Sequence, residues 1–184
     1  MRTHAALLRG INVGGRNKVA MADLRALVAG LGHTEVGTYI QSGNVVFAST
    51  ETDPDRLADS LEAEIAGRLG VACGVVVVAR ADLAAAVAAD PYAHEPDGRR
   101  VHVVFRRHPL TPDERTAIDA AAERARAKGS RDEVTADGRV LYLWTPDGMG
   151  RSELAAQLAR TAGLGTGTAR NRTTATKLLA LLEG

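Results

Sequence analysis

The sequence predicts an α+β protein with largely antiparallel sheets, built as two halves. Three observations predict it. Short β-rich runs alternate with segments of helical spacing; two hairpin signals, at Gln41 to Gly43 and at Asp137 with Gly138, set neighbouring strands antiparallel; and a stretch bearing Pro96 and Gly98 interrupts the pattern near the middle of the 184 residues.

Thr3 to Arg9 reads as a short strand. After a loop, Leu24, Leu27, Val28 and Leu31 recur at helical spacing, and Gly30 and Gly32 mark the stop. Val36 to Ile40 and Asn44 to Ala48 are two β-rich runs, joined through Gly43, which can take the positive φ a tight turn needs. Asp53 before Pro54 is the preferred order of N-cap and first turn. Leu57, Leu61, Ile65 and Leu69 then fall on one helical face until Gly70 ends it. Val75 to Val78 is a buried strand. The order βαββαβ is the split βαβ arrangement of ferredoxin-like folds, and it assigns residues 1–80 to a ferredoxin-like subdomain.

Asp82 to Ala89 is a short helix that stops before Asp90 and Pro91, and Tyr92 to Gly98 is a connection between the halves. Val101, Val103 and Phe105 alternate with His102, Val104 and Arg106 as a half-exposed strand, and Thr111 before Pro112 opens a helix. Strands follow around Val134 and over Val140 to Trp144, then two helices, Ser152 to Thr161 and about Thr173 to Leu182. Residues 81–184 therefore read βαββαα, the first half's order without its last strand. No matching sequence repeat accompanies it, so duplication is expected from element order alone.

A chain of this length removes roughly 70% of its unfolded surface on folding, enough core without metals or disulfides. The single Cys73 lies in the apolar run Val71 to Ala79, where a thiol is a small hydrophobe, and one unpaired cysteine fits a reducing compartment. The start MRTHAALLRG lacks an apolar h-region with a cleavage site, and no run approaches the roughly 20 apolar residues that span a bilayer. The expectation is a cytoplasmic protein with no membrane partner. Formal charge is +1 and the pI about 8.0, so the whole-molecule field does not announce nucleic acid and any basic site is local. Lys18, Lys128 and Lys177 are the only lysines; arginine richness is compositional here and weighs little by itself.

The chemistry-bearing segment is the loop between the first strand and first helix. Arg9, Gly10, Ile11, Asn12, Val13, Gly14, Gly15, Arg16, Asn17 and Lys18 combine three glycines, three cations and two amides with no acid. Glycines let backbone approach a ligand, and amides leading toward a helix start favour an anion. Gly10 with Gly15 superficially spaces like GxxxxGK[ST], but Arg16 and Asn17 occupy the lysine and hydroxyl positions and an antiparallel hairpin follows, which excludes a P-loop ATPase. Two further loops share the ingredients. Asp147 to Ser152, with Arg151 and Ser152, and Gly163 to Arg172, with Arg170, Asn171 and Arg172, each place arginine at a helix start, where charge-assisted bonds reach about 1.5 to 3 kcal/mol. Ordinary capping explains any one loop alone as well; convergence of all three would make a polyanion site. Ser42 and Asn44 are read first as hairpin residues and second as ligand-orienting groups. His4, His33, His94, His102 and His108 lack metal-ligand spacing, and no hydrolase triad is legible, so no metal, cofactor or catalytic residue is assigned.

These residues resemble the bacterial proteins grouped as domain of unknown function 1697. The resemblance spans nearly the whole chain and rests on ALLRGINVGGRNKVAMADLRAL, TYIQSGNVVF, the Pro146 to Leu154 loop and TARNRTTATKLLAL. It implies an α+β fold with ferredoxin-like elements and brings no established activity. Its characteristic stretches fall on Arg9 to Lys18, Tyr39 to Phe47, Gly150 to Ser152, and on Thr168, Arg170, Asn171, Thr174 and Lys177. Arg172 stands where that pattern usually has Trp, which replaces a stacking ring by a cation.

The expected function is binding of a phosphate-bearing ligand, a nucleotide or nucleic acid, through the Gly and Arg loops. Only 3% of residues are aromatic, which disfavours a single-strand stacking platform and points to a small anion. The alternatives are an enzyme acting on an anionic metabolite and a ferredoxin-like protein-interaction module. Oligomeric state is left open.

Overall fold

The computed structural model describes residues 1–15, 17–161 and 166–184. Its first elements are β1 (His4–Leu8), α1 (Met21–Gly30), β2 (Thr34–Tyr39), β3 (Asn44–Ala48), α2 (Pro54–Leu69), β4 (Val75–Ala79) and α3 (Arg80–Ala88). The strands form one antiparallel sheet in the order β2-β3-β1-β4, the ferredoxin-like order, with Ala6 opposite Val45 on one side and Val77 on the other. Strand alternation sends Ala6, Leu8, Val45, Phe47, Val75 and Val77 to one face. There they pack with Leu24, Leu27 and Val28 of α1 and Leu57, Leu61 and Ile65 of α2. All five residues of β1 are buried, so both faces of the sheet's centre are covered. That double burial is why the central strands read as unbroken apolar runs.

Helix α2 begins and ends as its sequence dictates. The Asp53 carboxylate accepts from the backbone N–H of Asp55 at 2.9 Å, Pro54 fills the first turn, and Gly70 closes the helix at φ 67°.

The remaining elements are β5 (Val101–Phe105), α4 (Pro112–Ala127), β6 (Glu133–Asp137), β7 (Val140–Trp144), a 3-10 turn (Met149–Arg151), α5 (Glu153–Ala159), β8 (Thr168–Asn171) and α6 (Arg172–Glu183). Their sheet runs β6-β7-β5-β8. Its helix-facing side joins Leu141 and Leu143 to Ile118, Ala121 and Ala125 of α4 and Leu154 and Leu158 of α5. Thr111 opens α4 with a capping box, its hydroxyl accepting from Glu114 N while the Glu114 carboxylate accepts from Thr111 N. The same carboxylate takes a 2.7 Å bond from the buried Arg106 guanidinium, and these bonds hold its pKa below the ordinary glutamate value.

The second half carries one strand more than the expected βαββαα. Strand β8 pairs antiparallel with β5, from His102 opposite Asn171 to Phe105 opposite Thr168. Its four residues, Thr-Ala-Arg-Asn, hold no large apolar side chain and buried Arg170 in place of one, so hydrophobic alternation gives no strand signal there. With β8 in place, the two halves share one strand order, and each closing strand runs directly into a helix, α3 or α6. The order βαββαβα occurs twice. By contact density the chain divides into two compact units, Met1–Ala85 with Thr176–Gly184, and Ala86–Ala175.

The proline- and glycine-bearing stretch after α3 is tightly fixed within its own unit. Tyr92 meets the Thr135 hydroxyl at 3.0 Å, and Trp144 Nε1 donates to Glu95 Oε2 at 2.9 Å. Arg172 Nη1 donates to Asp90 Oδ2 and to the Tyr92 carbonyl, both at 3.1 Å, while its Nη2 reaches the Glu95 carbonyl. Among the described residues, no helix is long and apolar enough to cross a membrane.

Candidate functional site

The end of the first sheet gathers two of the sequence-selected segments. As β1 ends, Leu8 N donates to the Gly43 carbonyl and Arg9 N to the Gly74 carbonyl, each at 2.8 Å, so the Arg9–Lys18 loop departs between the β2–β3 hairpin and the start of β4. Ile11 turns inward, buried beneath Gly43. A Cβ on Gly43 would lie 2.8 Å from Ile11 Cδ1 and from Leu8 Cβ, and the residue sits at φ 76°, so both space and backbone require glycine there.

Asn12 is the pin. Its side-chain amide donates to the Val19 carbonyl at 2.9 Å and to the Gln41 carbonyl at 2.8 Å, and its Oδ1 accepts from Val19 N at 2.9 Å. One residue thus closes the loop on itself and ties it to the hairpin. A second closure links Asn12 N to the Asn17 carbonyl and Asn17 Nδ2 to the Gly10 carbonyl, both at 3.1 Å. Gly10 adjoins Arg9 and Asn17 adjoins Lys18, so this contact closes the ends of the loop on each other, while the Arg9 guanidinium lies beside Gly74. Asn12 at φ 55° and Asn17 at φ 49° take the left-handed region that Asn tolerates and Gly10, Gly14 and Gly15 take it freely.

Arg9 and Lys18 are exposed, and among the described residues neither has an acidic partner. Arg16 lies outside the described residues. Val13 and Ile40 are 67% and 51% exposed, and they adjoin Asn12 and Gln41 respectively. Ile40 also holds φ 50°, a left-handed angle that a β-branched side chain takes only under strain of about 1–3 kcal/mol.

The other sequence-selected residues serve the fold. Asn44 is fully buried, and its amide donates to the Tyr39 carbonyl and to Ser42 Oγ, both at 3.0 Å, so the pair closes the hairpin rather than facing a ligand. Ser152 caps α5, accepting from Ala155 N at 2.8 Å and donating to Asp132 Oδ2 at 2.9 Å. Asn171 caps α6 by accepting from Thr174 N at 2.8 Å. Arg170 is buried in β8, donating to Thr168 Oγ1 at 2.9 Å and to the Ala169 carbonyl at 2.8 Å; burial pulls its pKa down to about 10, still cationic at neutral pH. Arg151 is exposed in the 3-10 turn. Arg151, Ser152, Arg170 and Asn171 belong to the unit Ala86–Ala175, whereas the Arg9–Lys18 loop and the hairpin belong to the other. Gly163 and Gly165 lie outside the described residues.

Cys73 is half-buried, and its thiol is pushed up by burial and by Glu62, the setting of an unreactive thiol. Among the described residues, no group of three or more His, Cys, Asp or Glu is placed to hold a metal ion.

What sequence reasoning missed is the Asn12 bridge to Gln41 and the exposed pair Val13 and Ile40. An asparagine among glycines signals a left-handed turn, but its long-range partner is invisible in one sequence. The family model for Protein of unknown function (DUF1697) matches residues 1–142, which include this loop, the hairpin and most of both sheets. The chain belongs to this family. Of solved structures, conserved bacterial protein SP0830 from Streptococcus pneumoniae is similar, with a TM-score of 0.72 and 25% identity over 98% of each chain. The fold is therefore shared with that protein along nearly the whole chain. No curated protein matches.

Proposed function

We propose that the Arg9–Lys18 loop binds a phosphate-bearing ligand. The observation that supports it most is a pair of exposed cations, Arg9 and Lys18, without acidic partners among the described residues, at the joined ends of a loop whose backbone Asn12 fixes. A fixed loop loses little conformational freedom when it binds, so the cations' charge goes into affinity rather than into ordering the chain. Guanidinium and ammonium groups give a phosphate charge-assisted hydrogen bonds, and the glycines leave room for its oxygens beside the backbone.

Titration calorimetry with inorganic pyrophosphate tests the reading. Binding is expected for the native protein, and the double variant Arg9→Gln with Lys18→Gln should weaken it by about tenfold or more, since each charge-assisted bond is worth about 1.5 to 3 kcal/mol. Unchanged binding in that variant, or none in the native protein, contradicts it. With duplex DNA as titrant, each phosphate neutralised should steepen the log-log salt dependence by about 0.9.

A further inference from the structure

We propose that the open edge of β6 is a docking strand for an extended peptide that carries lysine or arginine on one face and aliphatic groups on the other. The site lies wholly within the unit Ala86–Ala175 and stands apart from the phosphate reading.

Strand β6 ends its sheet, bonded to β7 on one side and to no strand of the described residues on the other. It pairs with β7 without a register shift, from Glu133 opposite Trp144 to Asp137 opposite Val140, where Gly138 and Arg139 make the turn. In an antiparallel pair the bonded and non-bonded positions alternate. Counting from that tight turn, Asp137, Thr135 and Glu133 bond to β7, while Ala136 and Val134 aim their N–H and C=O groups outward. Those outward groups have no partner among the described residues. An edge of the other sheet is treated differently: β2 is interrupted by a register shift between Thr34 and Gly37, and Arg2 Nε donates to the Glu35 carbonyl at 2.8 Å. A bulge and an occupied carbonyl blunt an edge, and β6 shows neither among the described residues.

The side chains say what fits. Alternation puts Glu133, Thr135 and Asp137 on the face shared with Tyr142 and Trp144, and Val134 and Ala136 on the face packed with α4 and α5. A cavity of about 500 Å³ takes in both sides of the edge, with Tyr92, Trp144 and Thr135 from the first and Ala122, Val134 and Arg126 from the second. Glu133 and Asp137 are exposed, and among the described residues neither has a cationic partner; Arg131, which also lines the cavity, is taken by Asp147 at 2.6 Å. The negative charge registers on the two tyrosines of this face. Burial, with Glu133 and Asp90 adding to it, raises the Tyr92 pKa, and burial with Asp137 and Asp90 pushes Tyr142 up to about 12.

A strand laid antiparallel on β6 therefore meets two carboxylates on one face and aliphatic groups on the other. A second copy of this chain does not suit it, because full antiparallel overlap of β6 with itself sets Glu133 against Asp137, like charge against like. A segment with cations opposite Glu133 and Asp137 and aliphatic residues opposite Val134 and Ala136 satisfies both faces and adds a further strand through main-chain bonds.

The test is two-dimensional amide NMR of the full chain titrated with the peptide acetyl-Lys-Val-Thr-Val-Lys-Val-Thr-amide. Saturable shifts are expected on residues 133–137, and exchanging both lysines for glutamate should weaken binding about tenfold or more. N-methyl groups on the valines should abolish binding, since those N–H groups face the main chain of Val134 and Ala136; N-methyl groups on the lysines should leave it within about threefold. Ala136→Pro removes an outward donor and no ladder bond, so it should abolish binding while the melting temperature stays within about 3 °C. Glu133→Gln with Asp137→Asn changes only exposed groups and should erase the preference for the lysine peptide over its glutamate counterpart. No binding at millimolar peptide, shifts that avoid β6, or equal binding of the two peptides would overturn the proposal and leave the carboxylates as guards against strand pairing. A concentration-dependent dimer joined through β6 would also overturn it, in favour of a second copy.

Discussion

Asn12 and Ile40 hold nearly the same left-handed φ, 55° and 50°, for opposite reasons. The Asn12 amide makes three hydrogen bonds that the fold needs, whereas the Ile40 side chain faces solvent. Ser42 and Asn44 show how far single residues were legible. Their types announced a turn, and the burial of Asn44 with the bond it donates to Ser42 makes them one. Arg170 and Ser152 were legible as polar residues near helix starts but not as buried, bonded ones, because burial depends on strands and acids distant in sequence. Gly43 gives the cleanest residue-scale prediction. Gly43→Ala should destabilise the protein by about 3 kcal/mol in urea unfolding, from the clash with Ile11 and Leu8 together with the positive φ. A change below about 0.5 kcal/mol would mean that loop and hairpin are not packed as described.

At the scale of elements, helix caps, apolar periods and the Asp137 with Gly138 turn were readable because each is local. The strand β8 was not, since its identity comes from pairing with β5 and not from its own composition. The same limit hid the role of Arg172. Its guanidinium donates to Asp90 and to the carbonyls of Tyr92 and Glu95, fixing the stretch that leads to β5 onto the start of α6. Its side chain is 19% exposed and that of Asp90 only 5%, so removing the cation strands a buried carboxylate. Arg172→Ala should cost about 3 kcal/mol and raise amide exchange across residues 90–98. Exchange that stays slow there would show that Trp144 and Glu95 hold the segment unaided.

For the whole molecule, the duplicated βαββαβα order leaves the two halves different in one connection. The Gly-rich loop follows β1, while the corresponding turn after β5 is short and anchored by Arg106 on Glu114. Stability has its own pH signature. Burial, and for His4 also the neighbouring His33, lowers the pKa values of His4, His33 and His102 below their ordinary 6.5. The unfolded chain then binds more protons than the folded one just below pH 6.5, so stability is full above that pH and falls as pH drops through it. His4→Gln should flatten this acid slope in unfolding measured from pH 7.5 to 5; an unchanged slope would place the titration elsewhere. The central claim, that one loop pinned by Asn12 presents Arg9 and Lys18 to phosphate, is tested most directly by two-dimensional amide NMR of the full chain titrated with pyrophosphate. The account predicts shifts concentrated in residues 9–18 and 40–44 that vanish in Arg9→Gln with Lys18→Gln. Shifts centred on Arg151 or scattered over both units would contradict it.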